Sequence, residues 1–163
     1  MNVIEATTKD TMSRGDIKIF LVGGISNCPD WQKDILDILE PRVTSNSVVF
    51  FNPRRSDFDV SNVEDSALQI QWEFDQLDTA DLVMFWFPCE TLCPITLFEL
   101  GKMVGRGQQI VVGCHPDYKR LFDVKYQLAI EWSDLNVVDN IQDLASQVLE
   151  FIYNQDRRFI KFV

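Results

Sequence analysis

The chain is poor in the residues that most metal and nucleophile chemistry requires. It holds one histidine, His115, and four cysteines, Cys28, Cys89, Cys93 and Cys114. Cys89 and Cys93 stand four apart, but a zinc site needs more ligands at ordered spacing. No structural metal is therefore expected. Positive charge is also scarce, with 15 basic residues against 25 acidic and a net charge of −10. Phosphate backbones and anionic membranes are bound by clustered Lys and Arg, so neither a nucleic acid nor a membrane is an expected partner. No apolar run approaches the ~18–20 residues of a membrane span. Met1 to Gly15 lacks the apolar stretch of a secretory signal. The expected compartment is the cytoplasm, where the four thiols stay reduced. Internal repeats and low-complexity tracts are absent.

What remains is ample for one domain. The 163 residues are 46% hydrophobic and include 12 Phe, 4 Trp and 3 Tyr, which argues against disorder. The reading places a loose lead-in at 1–15, a single α/β domain at 16–155, and a tail at 156–163. The tail's apolar end (Phe159, Ile160, Phe162, Val163) makes it a candidate oligomer contact.

Short apolar runs alternate with longer amphipathic ones. Strands are expected at 17–22, 47–51, 81–87, 109–113 and 135–138. Helices are expected from Pro29 or Asp30 to Leu39, from a Ser61-Asn-Val-Glu64 capping box to about Thr79, from Pro94 to the Gly101–Gly107 region, and over 119–130 and 141–153. Asp81 to Phe87 is continuously apolar after its first residue, as suits a central parallel strand covered on both faces. The alternation predicts a parallel five-stranded sheet with right-handed crossovers and helices on both faces, a three-layer flavodoxin/Rossmann-like α/β fold. In such sheets ligands bind beyond the carboxyl ends of the strands. That rule selects four loops: 23–28, 52–57, 87–95 and 113–118.

The first loop, Gly23-Gly24-Ile25-Ser26-Asn27, lets a ligand approach the backbone closely. It lacks the third glycine of a dinucleotide fingerprint and the G-K-[ST] of a phosphate loop. The second holds Asn52-Pro53-Arg54-Arg55, whose adjacent arginines read either as a phosphate site or as ion partners of Asp57 and Asp59. On the second helix Gln69, Glu73 and Gln76 share one face, which alone reads as a solvated stripe. Glu99 is the oddity: it lies in a nearly apolar stretch, Pro94-Ile-Thr-Leu-Phe-Glu99-Leu-Gly, and a lone buried charge costs several kcal/mol. It reads either as half of a capping box, Thr96-x-x-Glu99, or as a carboxylate held for chemistry. His115 has no Ser or Cys in nucleophile context beside it. Cys93, near a helix start, has no evident histidine partner.

Four segments together resemble the nucleoside 2-deoxyribosyltransferase-like family: Ile19-Phe-Leu-Val-Gly-Gly-Ile25; Val49-Phe-Phe-Asn-Pro-Arg-Arg55; Gln71-Trp-Glu-Phe-Asp-Gln-Leu-Asp-Thr-Ala-Asp81 with Phe85-Trp-Phe-Pro88; and Thr96-Leu-Phe-Glu-Leu-Gly101. The resemblance covers 17 to about 130. It implies a five-stranded parallel sheet, homo-oligomers, and cleavage of the N-glycosidic bond of 2′-deoxyribonucleosides with transfer of the sugar to another nucleobase. Such chemistry belongs to nucleotide salvage. It further implies Glu99 as nucleophile and Glu73 as the acid that assists departure of the base. Gly23, Gly24, Ile25, Asn52, Arg54, Gln69, Trp86, Phe87 and Thr96 are the implied substrate contacts. The chain departs from the pattern where relatives carry Asn two residues before the nucleophile (here Leu97) or Asp six before it (here Cys93). No Arg stands between Gly23 and Asp30 to hold a 5′-phosphate, which favours nucleosides.

The expected mechanism keeps Glu99 ionised near neutral pH and gives Glu73 a raised pKa or a proton relay, with Gln69 or Gln71 holding Glu73; it requires no metal and no organic cofactor. The alternatives are an N-glycoside hydrolase on the same site and a non-catalytic nucleoside or nucleotide sensor.

Overall fold

The computed structural model describes residues 1–7, 17–45, 47–55 and 62–160, the last five as backbone only. Six strands form one all-parallel sheet: β1 (Asn2–Glu5), β2 (Ile17–Gly23), β3 (Val48–Asn52), β4 (Leu82–Phe87), β5 (Ile110–Cys114) and β6 (Val137–Val138). Five helices accompany them: α1 (Trp31–Leu39), α2 (Val63–Thr79), α3 (Pro94–Gly105), α4 (Leu121–Glu131) and α5 (Ile141–Ile160). The sheet order is β1-β3-β2-β4-β5-β6. Without β1 this is the flavodoxin-like order, whose direction reverses between β2 and β4 and opens a crevice at their carboxyl ends.

Strand alternation divides the core into two clusters. Phe20, Val22, Val49, Phe51, Val83, Phe85 and Phe87 join Trp72 and Leu77 of α2, Leu100 and Met103 of α3, and Val124 and Leu128 of α4. Their neighbours Ile19, Leu21, Val48, Phe50, Met84 and Trp86 point the other way, onto Trp31, Ile35 and Leu39 of α1 and Leu144 and Val148 of α5. Successive residues of β2 and β4 thus serve opposite faces, and both faces are covered, so their sequences read as unbroken apolar runs. Each fully buried large side chain contributes about 1.5–3 kcal/mol against remaining in water.

The helix starts are set by side-chain caps. Asp30 accepts a hydrogen bond from the Lys33 amide at 3.1 Å and starts α1. Asn62 accepts from the Glu64 and Asp65 amides at 3.0 and 3.1 Å and starts α2. The cap of α2 is therefore Asn62, not the serine of the expected capping box; Ser61 lies outside the described residues.

Two expectations about the elements are corrected. The sheet has six strands, not five. The extra one, β1, arises within the expected lead-in, pairing in register from Asn2 with Val49 to Glu5 with Asn52. As a short, largely exposed edge strand it carries no apolar run to announce it. Helix α5 continues to Ile160, beyond the expected end near Tyr153. Of the two readings of Thr96-x-x-Glu99 the capping box falls away, because α3 starts at Pro94, as expected, with Cys93 as its cap. Residues 8–16 and 161–163, and the side chains of 156–160, lie outside the described part, and with them the proposed docking tail. Among the described residues no helix is long and apolar enough to cross a membrane, and all four cysteines are free.

Candidate active site

At the carboxyl end of β2 a cavity of about 530 Å³ opens between the β2–α1 loop, α2 and the start of α3. Gly23, Gly24, Ile25 and Ser26 form one wall. Glycine is required at two of these positions. A Cβ on Gly23 would stand 2.5 Å from the Trp31 ring and from the Trp86 carbonyl oxygen. On Gly24 it would stand 2.6 Å from Cys28 Sγ and 2.8 Å from Pro88. Real Cβ atoms do not tolerate such approaches, so any side chain there would displace the wall.

The second wall is α2. Ser66, Gln69, Ile70 and Glu73 recur at helical spacing along its cavity face. Gln69 is buried, and its amide hydrogens have two acceptors: the Pro53 carbonyl at 2.8 Å and Glu73 Oε1 at 2.7 Å. This fixes the orientation of the carboxamide, and its oxygen accordingly faces Arg55 Nη1 at 3.5 Å. Arg55 Nη2 in turn donates to both carboxylate oxygens of Asp65 at 2.9 Å. Glu73 is thus held by its neighbour four residues back, as the helix repeat permits.

The third wall is the first two turns of α3, with Thr96 and Glu99 facing the cavity. Cys93 enters this helix at φ 48° and ψ 57°, the left-handed region, at a cost of about 1–2 kcal/mol for a residue with a side chain. Along α3 the inward stripe is Thr96, Leu100 and Met103, all buried, and Glu99 borders it. Among the described residues no hydrogen-bond donor reaches the Glu99 carboxylate.

These surroundings set the electrostatics. Burial, and then the neighbouring Glu73, push the Glu99 carboxyl up to about 7, while Lys102 pulls in the opposite direction. Burial also raises Glu73, opposed by the Gln69 hydrogen bond. The expectation of an ionised Glu99 is therefore corrected, while that of a raised Glu73 agrees in direction. Both are raised, and Glu99 reaches the middle of the neutral range, because only Glu73 receives a donor that favours its anion. Cys93, in the place of an aspartate in distant relatives, cannot supply an anion: burial pushes its thiol up to about 12.

The structure brings together Gly23, Gly24, Ile25, Gln69, Glu73, Thr96 and Glu99. Asn52, Arg54, Trp86 and Phe87 do not line the cavity. Asn52 Oδ1 accepts from the Arg54 amide at 3.0 Å, a local turn. Arg54 is turned toward the β2–α1 loop, donating to Gln32 Oε1 at 2.9 Å and the Pro29 carbonyl at 3.0 Å and pairing with Asp30 at 3.2 Å. Trp86 faces the α1–α5 cluster by strand alternation. Phe87 is fully buried, its ring 5.1 Å from that of Tyr118. Asp57 and Asp59, the expected partners of the arginines, lie outside the described residues. His115 is also away from the cavity; its Nδ1 accepts from the Asp117 amide at 3.1 Å. Three of the four selected loops line the cavity; the 113–118 loop does not. Ser66 and Ile70, not singled out from the sequence, stand three residues before Gln69 and Glu73 and could have been found by the same helical spacing.

A family model described as nucleoside 2-deoxyribosyltransferase like matches residues 16–118, which include all three walls. A comparison with curated proteins finds no match.

Proposed function

The chain belongs to the nucleoside 2-deoxyribosyltransferase-like family, and from that premise we propose that it cleaves the N-glycosidic bond of 2′-deoxyribonucleosides and passes the sugar to a second nucleobase. The observation that carries this reading is the pair of raised carboxyls, Glu73 and Glu99, on one cavity at the switch point of the sheet. Purely structural carboxylates would be paired, and no donor among the described residues reaches Glu99.

In the first step Glu99, as carboxylate, attacks C1′. The C1′–N bond breaks and its electrons remain on the base nitrogen, which takes a proton from Glu73 directly or through one water. The product is a glutamyl-deoxyribosyl ester. In the second step a ring nitrogen of the acceptor base attacks C1′, the ester bond breaks, Glu99 recovers its electrons, and the acceptor's proton passes to Glu73. Two displacements retain the configuration. Glu99 serves when ionised and Glu73 when protonated, and the mutual repulsion of two anions favours a state with one proton on the pair. Binding of a nucleoside over the glycine wall excludes water and strengthens these interactions.

The open rim supports hydrolysis as a second reading. Ile70 and Ile95 line the cavity yet are each 65% exposed, so water has a path to the ester. Thymidine incubated with and without free adenine, followed by chromatography, separates the two. Deoxyadenosine formation is expected when adenine is present. Rapid release of free deoxyribose without an acceptor would favour hydrolysis. Glu99→Ala should lower exchange by about 10³-fold or more; a variant as active as the parent removes Glu99 from the mechanism.

A further inference from the structure

The four cysteines, scattered along the sequence, are gathered by the fold at the carboxyl ends of three adjacent strands. Cys28 lies on the β2–α1 loop, Cys89 and Cys93 lie on the β4–α3 loop, and Cys114 ends β5; β2, β4 and β5 are neighbours in the sheet. Two of them flank a single point. A Cβ built on Gly24 would stand 2.6 Å from Cys28 Sγ and 3.1 Å from Cys93 Sγ. The two sulfurs can therefore be no farther apart than those distances laid end to end. As donors, each meets a carbonyl of its own loop: Cys28 Sγ that of Ser26 at 3.3 Å, and Cys93 Sγ that of Thr91 at 3.7 Å. Cys28 is half-buried, and Cys93 is buried in the cavity wall. Glycine would adopt the left-handed conformation of position 93 without strain, yet a thiol stands there.

We propose that Cys28 and Cys93 form a two-thiolate site for a soft monovalent cation, copper(I), which joins the β2–α1 loop to the start of α3 across Gly24. The donor set selects the class of ion. Among the described residues no group of three His, Cys, Asp or Glu is placed to hold a metal, so zinc, which takes four ligands, is not served. Calcium and magnesium take oxygen donors. Two thiolates alone suit copper(I), the soft ion that sulfur ligands select. Metal–sulfur bonds of about 2.3 Å let one ion span sulfurs nearly twice that far apart, whereas a disulfide needs them at about 2.05 Å. On binding, each thiol gives its proton to solvent and forms one bond to the ion; the copper stays monovalent and no electron moves. Burial raises both thiols, and Glu90 raises them further, against Arg54 beside Cys28 and the Gly24 amide beside Cys93. Thiolate for direct oxidation is therefore scarce, while a cation supplies the charge that displaces the protons. This assignment is independent of the proposed chemistry.

Titration of the reduced full chain with copper(I), without oxygen and against the chromogenic chelator bicinchoninate, tests it without reference to activity. The wild type should take one equivalent in competition with the chelator. Cys28→Ser and Cys93→Ser should each weaken that binding by about hundredfold or more, and Cys89→Ser by no more than a few-fold. Cys28→Ser changes a half-buried loop position and should leave the circular dichroism unchanged, so its result decides even where the variant at buried Cys93 fails to fold. A wild type that holds copper no better than Cys28→Ser overturns the proposal. So does equal dependence on Cys89 and Cys28, or zinc(II) that displaces the copper at equal concentration. A chain that has lost its thiol hydrogens and retains no copper marks a disulfide instead, and also overturns it.

Discussion

The two faces of the sheet are built from the same strands yet finished differently. Beneath α1 and α5, Trp31, Ile35, Leu39, Leu144 and Val148 are buried to 2% exposure or less. Tyr153 is the exposed large apolar residue on those two helices among the described residues. Beneath α2, α3 and α4 the strands are equally well covered, but the helices carry two raised carboxyls inward, Ile70 and Ile95 on the cavity rim, and Phe74, Phe98, Phe122, Tyr126 and Ile130 exposed. The contrast separates holding the sheet together from presenting chemistry. Leu144→Ala breaks the finished face where it packs against β5, and it should cost about 2–5 kcal/mol of stability. Denaturant unfolding should show that loss, with kcat per folded molecule unchanged. A kcat that falls in parallel would mean that the faces are not separable.

The opposite experiment relieves strain on the working face. The Glu99 carboxyl titrates near 7 in the folded chain against an ordinary value of 4.5. The folded state therefore binds this proton more tightly than the unfolded state does. Its stabilising contribution is complete below about pH 4.5, fades as pH rises through the folded value near 7, and above that the buried anion leaves the fold weaker. Glu99→Gln removes the anion. At pH 8 the variant should be more stable than the parent by roughly 2–3 kcal/mol, a rise of several degrees in Tm. At pH 5 most of that gain should disappear. Calorimetry at the two values decides; an equal gain at both would show that cavity shape, not charge, is being relieved. A residue whose removal stabilises the protein while abolishing turnover is retained for function.

The sequence made the strands of the central sheet legible because burial on both faces writes them as unbroken apolar runs: Ile17 to Val22, Val48 to Phe51, Leu82 to Phe87. It did not reveal β1, since an exposed edge strand has no such run. Glu99 stood out because it interrupts an apolar stretch, and Glu73 because family resemblance lifted it from a face that otherwise reads as solvated. Trp86, Phe87 and Arg54 were less legible for a shared reason. Being near the end of the right strand fixes height along the sheet, but one residue of offset exchanges the faces. Trp86 turns to α1, Phe87 stays beneath α3 and α4, and Arg54 clamps a loop while Arg55 beside it reaches the cavity. The raised Glu99 was out of reach for another reason: it depends on burial, on Glu73 nearby, and on the Gln69 amide reaching one carboxylate and not the other, all matters of side-chain geometry.

Lys102 offers the finest test of the working face. It lies on α3 one turn beyond Glu99, with Nζ 4.3 Å from the centroid of the Phe74 ring, and it draws the Glu99 carboxyl downward against burial and Glu73. Replacing it with Met keeps the aliphatic stem over the ring and removes the cation. Glu99 should then hold its proton to higher pH. On the proposed mechanism the nucleophile must be ionised, so kcat/KM should fall as pH drops through the Glu99 value, near 7 in the parent. In Lys102→Met this acidic limb should move toward higher pH, with a loss of a few-fold below neutrality and matching rates well above it. Added salt should shrink the difference, since the lysine is near solvent. A limb that stays in place would show that Lys102 only shields Phe74, leaving burial and Glu73 to set the nucleophile's proton affinity.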